Sequence, residues 1–463
     1  MSDRTPELAV LAVLVVLTAG VLLFGGSSSD GDASGADATA QVSSARLARV
    51  ERRVEQLRGL RFKRPVSVTV MSPDEVRAFG VAEEDAASSA RERAASQELL
   101  KVLGLIDPDV QMDAVTASIY GEQVAGFYDP RSERLALVRG VGIDDVTLAH
   151  ELTHALEDQH FDLSRLGEGG EADTGDTGAG ASGDDDAASA ESALVEGTAT
   201  VVMTRYLQRY PEALGFDDAL GQLWGASGST PLPPYVMRSL LFPYEAGQRF
   251  VGQLLATSGD WRLVDEALRD RPPTSAAEVL DVDRWLDKQR PAKLALPPAD
   301  APGPAWRRIA ASTFGEVDLR ELLRDGVGED AAEQLAATWT GGRYALWRRG
   351  PLPAPGCDEP CLGRDALVLR LRFDSPAAAG AVSAALGTWL QTDRRATATG
   401  PGAWSLPGAT AATITTSGPQ TTVTLAPTRT LAARLARWVS PDSAAGRRPP
   451  RLGSAQGPRR ERG

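Results

Sequence analysis

The chain has 463 residues, with 62 acidic against 49 basic side chains and a formal net charge of −13. That length allows two or three domains, and the acidic balance favours solubility and argues against nucleic acid as a partner. Histidine is used 3 times, and all three positions, His150, His154 and His160, fall within eleven consecutive residues.

Taken in chain order, residues 8–24, "LAVLAVLVVLTAGVLLF", carry no charge. The run is at the short end for a transmembrane helix and also suits a signal peptide. Residues 1–26 are therefore read as an anchor or signal, and 27–59 as a flexible stalk, on the strength of "GGSSSDGDASGADATAQ" at 25–41. No Cys lies near this segment, which excludes a lipoprotein anchor. Further on, "EQVAGFYDPRSERLALVRG" reads as two short strands around an Asp-Pro turn. Either "VAGFY" or "RLALV" is a candidate edge strand able to accept an extended peptide.

Next comes "LAHELTHALEDQHFDL". Val146, Ala149, Leu152, Ala155 and Leu156 form an apolar stripe at helical spacing, and Asp144 or Asp145 can cap the helix start. His150 and His154 are one turn apart on such a helix and aim at one point. Glu151 is beside the first of them, placed to act as general base on a water at the same ion. Neutral imidazoles without a thiolate point to zinc.

"HELTHALEDQ" resembles the zinc helix of the thermolysin-like gluzincins, including an aspartate, Asp158, four residues after the second histidine. The wider set "HELTHALEDQHFDL", "ALVEGTAT" and "PYEAGQRFV" is similar to motifs of uncharacterised bacterial membrane-anchored zincin-like proteins, over roughly residues 60 to 290. The resemblance implies a zinc metallopeptidase and a third ligand from a following helix. That ligand is expected to be Glu196, in "SALVEGTATVVMTRYL". Its neighbours Ala193, Gly197 and Thr200 are small, and Gly197 inside a helix suggests close packing of a second helix, taken here to let Glu196 approach the HELTH helix. Two alternatives stay open. His160 has metzincin spacing, but Glu157 stands where that family has a helix-breaking glycine, and an unbroken helix carries His160 about 15 Å past His150. Glu191 is the other. Where thermolysin has an aspartate that orients a ligand histidine, this chain has Thr200. Tyr244 is the candidate oxyanion stabiliser, by analogy with gluzincins that use a downstream tyrosine.

Residues 164–189 are rich in Gly, Asp, Ser and Ala and are expected to be a disordered acidic loop, with calcium binding through Asp173, Asp176 and Asp184 to Asp186 as the alternative. Residues 201–290 read as mostly helical. Beyond about residue 300, "RYALWRR", "ALVLRLRF" and "TTVTLAP" are strand-like, while "AAAGAVSAALGTWL" and "TRTLAARLARWV" are helical. Cys357 and Cys361 flank "DEP" and are expected to form a local disulfide outside the cytoplasm.

The fold expected is α+β: a zincin-like metallopeptidase domain at 60–290, with a small sheet and a mostly helical subdomain, then a small α+β domain at 291–440 and a disordered basic tail at 441–463. The function expected is a membrane-anchored extracytoplasmic zinc metalloendopeptidase acting on peptide or protein substrates and attached through the N-terminal helix. It would instead be secreted if that segment is cleaved. The competing readings are a catalytically silent zincin-fold protein that binds peptides or partners, and a structural zinc-binding envelope protein.

Overall fold

The computed structural model describes residues 42–122, 126–140, 143–166, 185–213, 232–351, 360–407 and 410–438. The apolar run 8–24 and the tail 441–463 lie outside them, and among the described residues no helix is long and apolar enough to cross a membrane.

The first element corrects the expected stalk. Residues Ser44–Arg58 form helix α1, capped by the Ser43 side chain and ended by Gly59 at φ 78°. Leu47, Val50, Val54 and Leu57 recur at helical spacing and pack on the apolar face of the metal helix described below, with Val50 and Val54 fully buried. Arg46 and Arg49 reach Asp145 at 2.6 and 2.9 Å.

Strand β1 (Ser67–Met71) and helices α2 (Pro73–Ala87), α3 (Ala90–Leu103) and α4 (Met112–Glu122) lead to the hairpin of β2 (Gly126–Asp129) and β3 (Arg134–Val138). The turn between them is built on Asp129, whose carboxylate accepts from the N–H groups of Arg131 and Ser132. The sheet order is β1-β3-β2, with β1 parallel and β2 antiparallel to β3. "RLALV" is therefore the central strand and has no free edge. Of the two expected candidates only β2, in "VAGFY", lies at an edge; Val124 and Ala125 are outside the described residues.

Helix α5 (Asp145–Phe161) follows β3, and α6 (Asp185–Arg209) and α7 (Pro234–Ser258) complete a helical layer with the shorter α8 (Arg262–Arg269), α9 (Ala276–Leu280) and α10 (Val282–Leu286). The bounds expected for the acidic loop, 164–189, are corrected at both ends. Residues 164–166 belong to a 3-10 turn and its end, and 185–189 are already helix α6. Asp185 and Asp186 suit a helix N-terminus, Asp186 accepts from the Ala276 N–H at 3.1 Å, and Ala187 and Ala188 are buried. Residues 167–184, which include Asp173, Asp176 and Asp184, lie outside the described residues.

The remaining chain forms β4 (Arg307–Thr313), α11 (Glu316–Val327), α12 (Glu329–Ala336), β5 (Trp339–Arg348), β6 (Asp365–Phe373), α13 (Pro376–Thr392), β7 (Thr397–Gly400), β8 (Ala403–Ser405), β9 (Ala411–Ser417), β10 (Gln420–Ala426) and α14 (Arg429–Trp438). Its seven strands are antiparallel throughout, in the order β4-β5-β6-β10-β9-β8-β7. Alternation along β6 explains the layers. Leu367, Leu369 and Leu371 face α11, α12 and α13, whereas Ala366 and Val368 face α14. Helix α3, from the earlier part of the chain, supplies Ala95, Leu99, Val102 and Leu103 to this same core. The whole is α+β, and the expected boundary at residue 290 does not separate two self-contained cores.

Candidate metal centre

The Asp144 carboxylate caps α5 by accepting from the N–H groups of Val146 and Thr147 at 2.8 and 2.7 Å. The helix then runs without a break to Phe161, and every residue from Asp145 to Gln159 is buried. This places His150 and His154 on one face, one turn apart. Their Nε2 atoms are 3.1 Å from each other. Glu196 of α6 joins them, with Oε2 at 3.1 Å from His150 Nε2 and Oε1 at 3.6 Å from His154 Nε2.

A tetrahedral ion with bonds of about 2.1 Å keeps its ligands about 3.4 Å apart. The three separations bracket that value, and one ligand atom from each residue lies within 4.8 Å of the others. The donor set is two imidazole nitrogens and one fully buried carboxylate, so the residues fit a divalent cation. Glu196 Oε1 is buried and meets His154 Nε2 at 3.6 Å, longer than a normal hydrogen bond. Such an atom is costly without a partner.

Without a cation the three groups lean on one another. Burial alone would lower the His154 pKa, but the charge and hydrogen bond of Glu196 outweigh it and carry the imidazole up to about 9. Burial would raise Glu196, yet the charge of His154 and the bonds from both imidazoles pull it down to about 2. Neither Nδ1 of His150 nor that of His154 finds a partner among the described residues, and the buried Thr200 hydroxyl finds none either. Among the described residues no carboxylate meets either Nδ1, in keeping with threonine at the position where thermolysin has aspartate.

Glu151 is not one of the three ligand residues. Its Oε2 accepts from the Tyr128 N–H of the β2 edge at 2.9 Å. Burial is the main influence on its carboxyl and raises the pKa, against the lowering effect of the two histidines. Tyr244 is buried in the middle of α7, not at a helix start, and its ring centroid is 6.2 Å from that of His150. The structure thus gathers His150, His154, Glu151, Glu196 and Tyr244. His160 is left out: it meets the Arg61 carbonyl at 2.8 Å, on another face of α5. Glu191 is also on α6 and buried, but it is not in the ligand cluster.

The close approach inferred from Gly197 is real but has a different partner. A Cβ on Gly197 would lie 2.3 Å from the Gly247 backbone, and one on Gly247 would lie 2.0 Å from the Ala193 carbonyl oxygen. The "ALVEG" and "PYEAG" glycines are where α6 crosses α7. At the metal centre contact with α5 is made by the Glu196 side chain, and further along α6 by Val202, Met203 and Tyr206, which share a core with α5.

The residues after HELTH anchor the helix. Glu157 meets Arg58 of α1 at 2.5 Å, both with no exposed side chain, and the Arg58 guanidinium stacks over Trp261 at 4.3 Å. Asp158 accepts from the Tyr128 hydroxyl at 2.8 Å and from the Leu163 N–H at 2.9 Å. Gln159 accepts from the N–H groups of Lys63 and Arg64 at 2.7 and 3.1 Å. Sequence reasoning did not single out Tyr128 or Arg58. The hydrophobic spacing of α1 was the available signal for Arg58; nothing local marks Tyr128.

Among known proteins, a family model described as a domain of unknown function, DUF8575, matches residues 305–436. That stretch contains the seven-stranded sheet and its own helices, and none of the residues of the metal centre. No curated protein matches the chain. Among solved structures, a protein of Chloroflexus aurantiacus, described as having a novel fold and a provisional assignment as a hydrolase, is similar over 61% of this chain and 98% of its own, at 19% identity and a TM-score of 0.36. A likeness of that size is too remote to assign a fold.

Proposed function

We propose that the chain is a zinc-dependent metallopeptidase of gluzincin type, anchored in or secreted across the membrane and acting outside the cytoplasm on peptide or protein substrates. The observation that supports this reading most is the convergence of His150, His154 and Glu196 on one point with Glu151 beside it. His150, His154 and Glu196 would hold the ion. A bound zinc would polarise a scissile carbonyl and make a water acidic near neutral pH. Glu151 takes a proton on Oε1, the oxygen that Tyr128 does not engage, and passes it to the leaving amine. Tyr244, whose ring centroid is 6.2 Å from that of His150, is assigned to the developing oxyanion. β2 is an edge strand beside Glu151, and a peptide added to it would lie next to the centre, pairing with backbone groups other than the Tyr128 N–H that Glu151 holds. Cys357 is outside the described residues; its pairing with Cys361 belongs to this proposal, as does the extracytoplasmic location.

The test is metal analysis of the purified protein together with cleavage of a peptide library. Glu151→Gln should keep near-stoichiometric zinc and lose turnover by about 10²- to 10⁴-fold, the usual contribution of a positioned base. Glu196→Ala should weaken zinc binding by more than about 100-fold, beyond what loss of an outer-sphere partner costs, and His160→Ala should leave it nearly unchanged. Stoichiometric zinc without any cleavage by the parent protein would replace this reading by that of a silent peptide-binding protein.

A further inference from the structure

Tyr128 is attached to the metal helix at both ends. Its backbone N–H donates to Glu151 Oε2 at 2.9 Å, and its hydroxyl donates to Asp158 Oδ2 at 2.8 Å. Glu151 and Asp158 are seven residues apart on α5, about 10.5 Å along the axis. One residue of a four-residue strand therefore spans two helical turns. Asp158 is itself fixed, because its other oxygen accepts from the Leu163 N–H at 2.9 Å.

β2 pairs with β3 on one side only, and Tyr128 turns its N–H away from that pairing toward α5. A strand this short slides easily along its free side unless something sets its position. Along α5 the Tyr128 hydroxyl sets it, at a buried carboxylate. The N–H then meets Glu151 at a fixed height on the helix, one residue from the ligand His150. We infer that Tyr128 is a positioning residue of the centre: its hydroxyl, anchored on Asp158, holds the β2 edge so that its N–H occupies Glu151 Oε2 and leaves Oε1 as the proton acceptor. The inference deepens the peptidase reading and rests on it for its catalytic consequence. The linkage itself is open to test without a substrate.

The experiment uses the full chain loaded with zinc, as Tyr128→Phe, Glu151→Gln and the double variant. Three quantities are measured: zinc affinity by competition with a chelating indicator, hydrogen exchange of the Tyr128 amide, and kcat and KM on a cleaved peptide. Tyr128→Phe should leave zinc affinity within about twofold, since no ligand is touched. The Tyr128 amide should exchange about 10-fold faster, as expected of a locally loosened strand. Turnover should fall about 10- to 100-fold, with KM within about threefold, as for a misplaced base. In the Glu151→Gln background the same change should cost nothing further, because the group it positions is already gone. Asp158→Ala removes the bond from the other side and should reproduce the exchange result if Tyr128→Phe fails to fold. Unchanged exchange in both variants overturns the inference, as does an equal loss of turnover with and without Glu151. If the parent cleaves no peptide, the peptidase reading fails, and the exchange measurement alone decides whether Tyr128 is held as described.

Discussion

Glu157, seven residues after His150, keeps α5 helical where a metzincin bends, and that one position determines that His160 leaves the metal. Its own carboxylate meets Arg58 with both side chains out of water, and Arg58 also reaches Asp265 at 2.5 Å. A buried pair of this kind adds little over a well-packed apolar pair, yet removing one partner strands a charge and costs about 3–5 kcal/mol. Arg58→Met should therefore lower unfolding free energy by about that amount, and Arg58→Met with Glu157→Leu should recover most of it. Denaturant titration of the two proteins distinguishes the cases; a double variant no more stable than the single one would show that the pair contributes through its charge and not through filled volume. The same reasoning explains why "EDQH" follows HELTH: each of the four side chains ties the helix to a different neighbour.

At the scale of elements, the position of Glu196 depends on how α6 crosses α7. Gly to Ala in an open helix stabilises by about 1 kcal/mol. At Gly247 the added Cβ would lie 2.0 Å from the Ala193 carbonyl oxygen, a backbone atom that cannot swing away. Overpacking of that kind costs about 1–3 kcal/mol, so the clash should win over propensity. Gly247→Ala should be destabilised and lose zinc affinity, because α6 must shift and carry Glu196 with it. Gly252→Ala is the control on the same helix, where an added Cβ meets nothing within 4 Å, and it should gain about 1 kcal/mol. Thermal midpoints and zinc titrations of both variants check this, and equal behaviour would remove the crossing as the determinant of ligand position. The crossing also shows what was legible in the sequence. His150, His154 and Glu151 follow from helical spacing alone, and a small residue inside a helix marks a close contact. Which helix makes that contact is a long-range property, and Gly247 gives no local sign of it. The α1 helix was obscured by the low-complexity run before it, although Leu47, Val50, Val54 and Leu57 carry the right spacing. Which of "VAGFY" and "RLALV" is the edge strand stayed open, because both are short and apolar and strand order is set by pairing that no local pattern encodes.

Across the whole molecule, α3 joins the early part of the chain to the seven-stranded sheet, and its apolar packing is accompanied by a buried ionic cluster. Arg348 of β5 meets Asp365 of β6 at 2.6 and 2.7 Å and Glu98 of α3 at 2.7 Å; Glu98 also accepts from the Cys361 N–H at 2.9 Å. Two buried carboxylates share the Arg348 guanidinium. Burial, and then the neighbouring Glu98, push Asp365 up to about 8 in spite of Arg348. The unfolded chain releases that proton near pH 4. Between about pH 4 and 8 the folded state therefore holds a proton that the unfolded state has lost, and stability must fall as pH rises through this window. His154, raised to about 9, adds a fall of the same sign between about pH 6.5 and 9 in metal-free protein. Comparison of a variant with its parent under identical metal loading cancels that contribution. Asp365→Asn has no proton to lose, so its unfolding free energy should decline less steeply than the parent's between pH 5 and 8. Denaturant unfolding at three pH values measures the two slopes. Parallel slopes would mean that Asp365 ionises normally and that Arg348 neutralises both carboxylates, leaving the α3 joint insensitive to pH.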